Sequence, residues 1–264
     1  MSLQHFYLDE QVLADEVGES FSLRLAADDA KHARVLRLAP GERIAVVDAA
    51  QDYFACEIVS FDGEVPLVRI AQRFERADAG PSVTLVQGLA KGDKMETVIR
   101  HATELGVSAF VPLVCERSVV KLDERKAAAR TERWRAIAKS AAMQSGQRAV
   151  PEVSEPMRIA DACALLSEAT AVLVCWEEAP AAARLADAIA AGCDALLTPR
   201  IDARVAVVVG PEGGFSPAEV DALLASSDRA ALVSLGSSIL RTETAGIVAS
   251  ALALYELGGL GGRS

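Results

Sequence analysis

The chain has 264 residues, 51% of them hydrophobic and 24% charged, with a formal net charge of −10. Such a chain buries a substantial core and has room for two domains, while its acidic balance excludes a globally cationic nucleic-acid binder. The acidic first twenty residues hold no signal-peptide core, no apolar stretch reaches the ~20 residues that span a bilayer, and five scattered cysteines without a C-x-x-C pair suggest neither disulfides nor zinc. The expectation is a cytoplasmic protein, without a metal, whose cysteines serve mostly as small buried hydrophobes.

In chain order, "DDAKHARVLRLAPG" reads as a short helix and turn. Residues 42–71 follow with three strand-like runs parted by Asp48–Asp52 and Asp62-Gly63, a meander. This segment is expected to form a small β-rich barrel. "FERADAGPS" (74–82) breaks the pattern as a linker. From residue 83 strands and helices alternate, which implies an α/β domain with a mostly parallel sheet. Its first helix should bury Met95, Val98, Ile99, Ala102 and Leu105, with Asp93 and Glu96 as a capping pair. Residues 116–148 then carry nine basic against four acidic side chains. On charge pattern alone that stretch reads as a solvated helix face laced with ion pairs. His101 is expected as an exposed helix residue, and His5 and His32 are uninformative alone.

Two glycine-bearing loops in the last third could hold a ligand. Arg204–Val209 is a β-branched run suited to a buried parallel strand, and Ser216-Pro-Ala-Glu219 has the letters of a helix start with a capping box. Gly210–Phe215 therefore lies beyond the carboxyl end of a strand, where open α/β sheets bind ligands. It has neither the P-loop nor the dinucleotide spacing, and the competing reading is a tight turn in which Gly213 and Gly214 supply positive φ. In the second segment a strand runs to Leu235, Gly236–Arg241 forms a loop, and Thr242 caps a helix with Ala245, Val248, Leu252 and Tyr255 on its core side. If the two strands are neighbours, both loops meet around one small polar ligand. Arg241 gains nothing from the dipole at a helix start, which favours a functional reason for it.

Taken together, "KGDKMETVIRHATELGVS", "CERSVVKLDE", "RWRAIAKSAAMQSGQRAVPEV", "VVVGPEGGFSPAEV" and "LGSSILRTETAGIVA" resemble, in this order, the bacterial RsmE family, which methylates uridine N3 in 16S ribosomal RNA. "KHARVLRLAPGE" resembles the family's N-terminal module. Cys115 stands where a Thr is usual, and Gln147 interrupts the familiar Ser-Gly-Arg run. The resemblance implies a PUA-like RNA-binding β-barrel at 1–75, a linker at 76–82, a trefoil-knotted SPOUT methyltransferase domain at 83–258 and a flexible tail at 259–264, in a homodimer. It implies S-adenosylmethionine at Gly210, Pro211, Glu212, Gly213, Leu235, Gly236, Ser237, Ile239, Leu240 and Arg241. Arg241 is then the charge-stabilising group, with Glu212 and Glu243 as possible proton acceptors. Contacts to 16S ribosomal RNA or the small subunit fall to Lys91, Arg117, Lys121, Arg148, His32 and Arg37. Ribose 2′-O methylation and a non-catalytic RNA-bound assembly factor stay open as alternatives.

Overall fold

A computed structural model of the chain describes residues 3–75 and 80–261, apart from the side chains of Asp28, His32, Arg34 and Val35. Two compact units emerge, one of Met1–Asp78 with Ala142–Ala149, the other of Ala79–Ala141 with Val150–Ser264. Residues 76–79 of the expected linker lie outside the described residues.

The first unit holds β1 (Gln4–Tyr7), β2 (Phe21–Ser22), α1 (Ala27–Val35), β3 (Arg43–Val47), β4 (Tyr53–Asp62) and β5 (Val65–Phe74). Its sheet runs β1-β3-β4-β5-β2, with β1 parallel to β3 and the other pairs antiparallel. The three strand-like runs of 42–71 are β3, β4 and β5, whereas β1 and β2 were too short to show a period. Asp48 fixes the turn between β3 and β4. Its buried carboxylate accepts the N–H groups of Leu13, Ala50 and Asp52 at 2.9–3.0 Å, adding to the backbone bonds from the Asp48 N–H to the Asp52 carbonyl and from the Gln51 N–H to the Asp48 carbonyl. Ala142–Ala149 belongs to this unit through Tyr7 Oη, which donates to the Gln147 carbonyl at 2.5 Å, and through the Arg148 guanidinium, 5.1 Å from the Tyr53 ring centroid.

The second unit begins with β6 (Ser82–Gly88), α2 (Lys94–Leu105), β7 (Ala109–Val114) and α3 (Glu124–Ser145). It continues through β8 (Glu152–Val153), β9 (Met157–Arg158), α4 (Ile159–Leu166), β10 (Ala171–Cys175) and α5 (Leu185–Leu196). β11 (Arg204–Val209), α6 (Pro217–Leu224), β12 (Ala230–Val233) and α7 (Thr242–Glu256) complete it. The sheet is parallel throughout, in the order β12-β10-β11-β6-β7-β8, with β9 also pairing with β7. Alternation along each strand sorts its side chains to opposite faces. Leu85, Leu173, Val205 and Val207 pack with α2, α3, α5 and α7, while Val86, Val172, Val174, Ala206 and Val208 pack with α4 and α6. Both faces are therefore covered, which explains why β11 is apolar at five consecutive positions. Among the described residues no helix is long and apolar enough to cross a membrane.

Several local expectations are corrected. Asp93 occupies the N-cap of α2 without capping it through its side chain, and the Glu96 carboxylate is engaged by the Arg133 guanidinium at 2.8 Å. β12 stops at Val233 and not at Leu235. Helix α7 buries a face of small residues, Ala245, Gly246, Ala249, Ser250 and Ala253, and turns Leu252 and Tyr255 outward. Thr242 is its first helical residue and Arg241 its N-cap. The small face matters because α7 lies close against β6 and β11. At the start of the expected flexible tail, the Gly259 N–H donates to the Leu254 carbonyl at 2.8 Å, and Leu260 packs on the core. Residues 262–264 lie outside the described residues. Four of the five cysteines are buried, and burial pushes the thiols of Cys56, Cys115 and Cys175 up to about 12.

One close approach positions the site. A Cβ on Gly88, at the end of β6, would collide with the backbone nitrogen of Pro211. Gly88→Ala is therefore expected to lose about 1–3 kcal/mol of stability, as overpacking against backbone does. Urea denaturation of the two proteins measures the difference, and a loss below about 0.5 kcal/mol contradicts the packing argument.

Candidate functional site

The carboxyl ends of β10, β11 and β12 open on a cavity of about 420 Å³, lined by segments 175–177, 209–212, 214–215 and 234–242 with Lys94 and Ala245. β10 lies between β11 and β12, so the two glycine loops do not follow neighbouring strands. They meet because both lean over the end of β10, which adds Cys175, Trp176 and Glu177 to the lining.

The loop after β11 is fixed at both ends. On the helix side, Ser216 and Glu219 form the expected capping box: Ser216 Oγ accepts the Glu219 N–H at 3.4 Å and Glu219 Oε2 accepts the Ser216 N–H at 2.8 Å. At the strand end, Thr242 Oγ1 donates to the Gly210 carbonyl at 2.5 Å and accepts from Gln87 Nε2 at 2.8 Å. Gln87 is 1% and Thr242 7% exposed, so this chain of bonds lies in the interior. A Cβ on Gly246, one turn into α7, would strike Gln87 Oε1, so that glycine makes room for the amide.

Within the loop, Gly214 has φ +66°, and a Cβ there would lie 2.7 Å from Glu177 Oε1. Gly213 does not share the positive φ expected of both. It is absent from the cavity lining, and a Cβ on it would come within 2.9 Å of Arg117 Cβ. Gly213 instead faces Arg117, whose Nη1 donates to the Gly213 carbonyl at 3.3 Å. The other nine residues expected to hold a donor all line the cavity. Leu235 and Leu240 also pack on the core, whereas Ile239 is 87% exposed at the rim.

Charge within the site is organised around Lys94. Its Nζ lies 3.1 Å from Glu212 Oε1 and 3.2 Å from Glu243 Oε2. Glu212 Oε1 also accepts the Lys91 N–H at 3.1 Å. Hydrogen bonding by Glu212 raises the Lys94 pKa. Burial alone would raise the Glu212 pKa, but hydrogen bonds from its own N–H, the Lys91 N–H and Lys94 outweigh burial and lower it. Arg241 is exposed at the cavity edge, held at the α7 N-cap where the helix dipole opposes its charge.

A sequence profile for the RNA methyltransferase domain matches residues 78–254. Ribosomal RNA small subunit methyltransferase E of Bacillus subtilis (strain 168) is 32% identical over 258 residues, covering 96% of this chain and 97% of that protein. The chain belongs to the ribosomal RNA small subunit methyltransferase E family. Its Mycobacterium tuberculosis relative of the same name is 34% identical over 227 residues, 84% of this chain and 82% of that one. The crystal structure of the Neisseria gonorrhoeae family member bound to S-adenosyl methionine superposes with a TM-score of 0.77, at 27% identity, over 96% of this chain and 97% of that chain.

The residues expected to grip RNA fall on separate units. Lys91 and Arg117 both meet the loop after β11, the first through its N–H and the second through its guanidinium, while Lys121 is exposed. Arg148 sits over Tyr53 in the first unit and Arg37 is exposed there with φ +52°. The His32 side chain lies outside the described residues. Residues 116–148 form α3 and its approach, and part of their charge is spent internally, on Glu96 by Arg133, on Glu132 by Arg135 and on Asp123 by Lys126. His101 is exposed and pairs with Glu104, as a helix-surface residue would.

Sequence reasoning missed Gln87, Lys94, Trp176 and Glu177. Trp176 and Glu177 had a signal, since they follow a buried apolar strand just as the two glycine loops do. Thr242 was read as a cap and instead ties Gly210 to Gln87. Thr242→Val keeps the shape but leaves a buried amide and a buried carbonyl without this partner, so a loss of about 1–3 kcal/mol is expected. Chemical denaturation measures it, and a variant as stable as the parent removes the relay from the account.

Proposed function

We propose that this chain transfers a methyl group from S-adenosylmethionine to N3 of a uridine in small-subunit (16S) ribosomal RNA. The observation that carries the reading is the single cavity formed by the two glycine loops and the end of β10, in a chain of this family. The cavity suits the donor: backbone groups at Gly210, Gly214 and Gly236 are open to close approach, and Trp176, Leu235 and Leu240 offer apolar cover. We further read residues 1–75 as a PUA-like RNA-binding barrel and 83–258 as a SPOUT domain with a trefoil knot, in a cytoplasmic homodimer. Support for the knot comes from α7, which leaves β12 at the sheet edge and packs back on β11 and β6. Knotted connections are rare enough to need such a cause.

S-adenosylmethionine supplies an electrophilic sulfonium methyl group when bound. The chain's own task is to orient the uracil in line and to favour loss of its N3 proton. Arg241, exposed at the cavity edge, can place positive charge beside a uracil carbonyl oxygen as the anion develops. Glu212 and Glu243 are less suited to take that proton while Lys94 holds both, because an acceptor so paired gains little from protonation. Exposed basic residues such as Lys121 serve phosphates, and the uracil is presented unstacked.

Mass spectrometry of small-subunit RNA after incubation with the protein and S-adenosylmethionine tests the reading. Recovery of 3-methyluridine is the expected result, whereas a 2′-O-methylated nucleoside overturns the base specificity. Arg241→Ala is expected to retain most donor affinity while single-turnover methylation slows about a hundredfold, and Arg241→Lys recovers little because a point charge lacks the planar fork. Turnover within a few-fold of the parent would make Arg241 a structural residue.

A further inference from the structure

Lys94 stands where a lysine is poorly placed for its own helix. It is the first residue of α2, an end at which the helix dipole opposes a cation, and no side chain within α2 or its N-cap satisfies the orphan N–H groups by capping. The compensation comes from distant parts of the chain. Glu212 lies in the loop after β11, and Glu243 in the first turn of α7, directly behind the loop after β12. One ammonium touches a carboxylate from each, and Glu212 also accepts the Lys91 N–H across a separation of 121 residues.

We infer that Lys94 is a positioning residue that fastens the two donor loops to the start of α2, holding the cavity in its binding shape. The inference rests on the proposed donor function for its consequence, but not for its geometry. The Lys94, Glu212 and Glu243 side chains are 24%, 21% and 18% exposed, so the cluster is shielded from bulk water more than a surface pair and less than a buried one. In that setting an ion network gains Coulomb energy without the full desolvation cost. Two carboxylates around one ammonium also leave a net negative cluster. Removing the lysine therefore does more than delete two bonds: it sets two acidic groups facing each other across the seam between the loops. The Thr242–Gly210 bond joins the two loops at their buried inner ends, while the Ser216–Glu219 box and the Ser234 N–H to the Ala183 carbonyl attach each loop separately; Lys94 adds the link between Glu212 and Glu243.

The test needs one readout without donor and one with it. Hydrogen exchange of the donor-free full chain is expected to quicken about fivefold or more in both 210–216 and 234–241 in Lys94→Met, as local opening becomes easier, while the β6–β7 core keeps its protection. Lys94→Arg should restore much of the protection. Calorimetry with S-adenosylmethionine should show about tenfold weaker binding by Lys94→Met, and Lys94→Arg should recover much of that affinity. Unchanged exchange in both loops overturns the inference, as does an unchanged donor affinity. If Lys94→Met does not fold, Glu243→Gln carries the same test: 234–241 should loosen while 210–216 stays protected, and no change in either loop overturns the inference. If the parent chain binds no donor, the proposed function fails, and the exchange measurement still decides the clamp.

Discussion

The architecture of the cavity hangs on one hydroxyl. Thr242 Oγ1 receives the Gln87 amide and donates to the Gly210 carbonyl, so the end of β6, the start of α7 and the loop after β11 share a single buried junction. In water such bonds exchange freely, but in the interior each polar atom depends on the partner it has. Two glycines make the junction possible by absence: Gly246 leaves space for the Gln87 side chain, and Gly88 lets Pro211 approach the strand end. The shape of the cavity follows from that contact, and the charged cluster at Lys94 then trims the cavity's outer edge.

Much of this was legible in the letters, and what was not has physical causes. The β11 run, the Ser216–Glu219 capping box and the parallel alternation are local patterns, and local patterns are read from neighbours in sequence. Strand order is a different kind of fact. β10 enters between β11 and β12, and no spacing of residues announces it. The α7 face was misread because apolar size was taken as the guide, whereas a helix lying close to a sheet buries its smallest side chains and leaves Leu252 and Tyr255 outside. Gln87 and Lys94 were invisible for a related reason: a polar residue reveals its purpose only through partners far along the chain, Thr242 for Gln87 and Glu212 and Glu243 for Lys94.

Charge shows the same gap between composition and placement. Nine basic side chains in 116–148 read as a solvated face laced with local ion pairs, yet Arg133 is committed to Glu96 outside that stretch and Arg117 to the Gly213 carbonyl. A count treats every cation as equally available. The folded chain sorts them into those that hold the protein and those that face solvent, and the latter carry most of the long-range attraction for an anionic partner.

The strand order β12-β10-β11-β6-β7 has a consequence for how the second unit is made. β6 is the first of these strands to leave the ribosome, yet its register partner on one side, β11, begins at Arg204. Until that segment emerges, one edge of β6 presents unpaired N–H and C=O groups beside an apolar surface, a state open to wrong pairings. The hydroxyl that closes the junction arrives later still, in α7. Vectorial synthesis therefore delivers the pieces of the pocket in an order that forbids early assembly, and the nascent chain has most need of chaperone cover between the exits of β7 and β11.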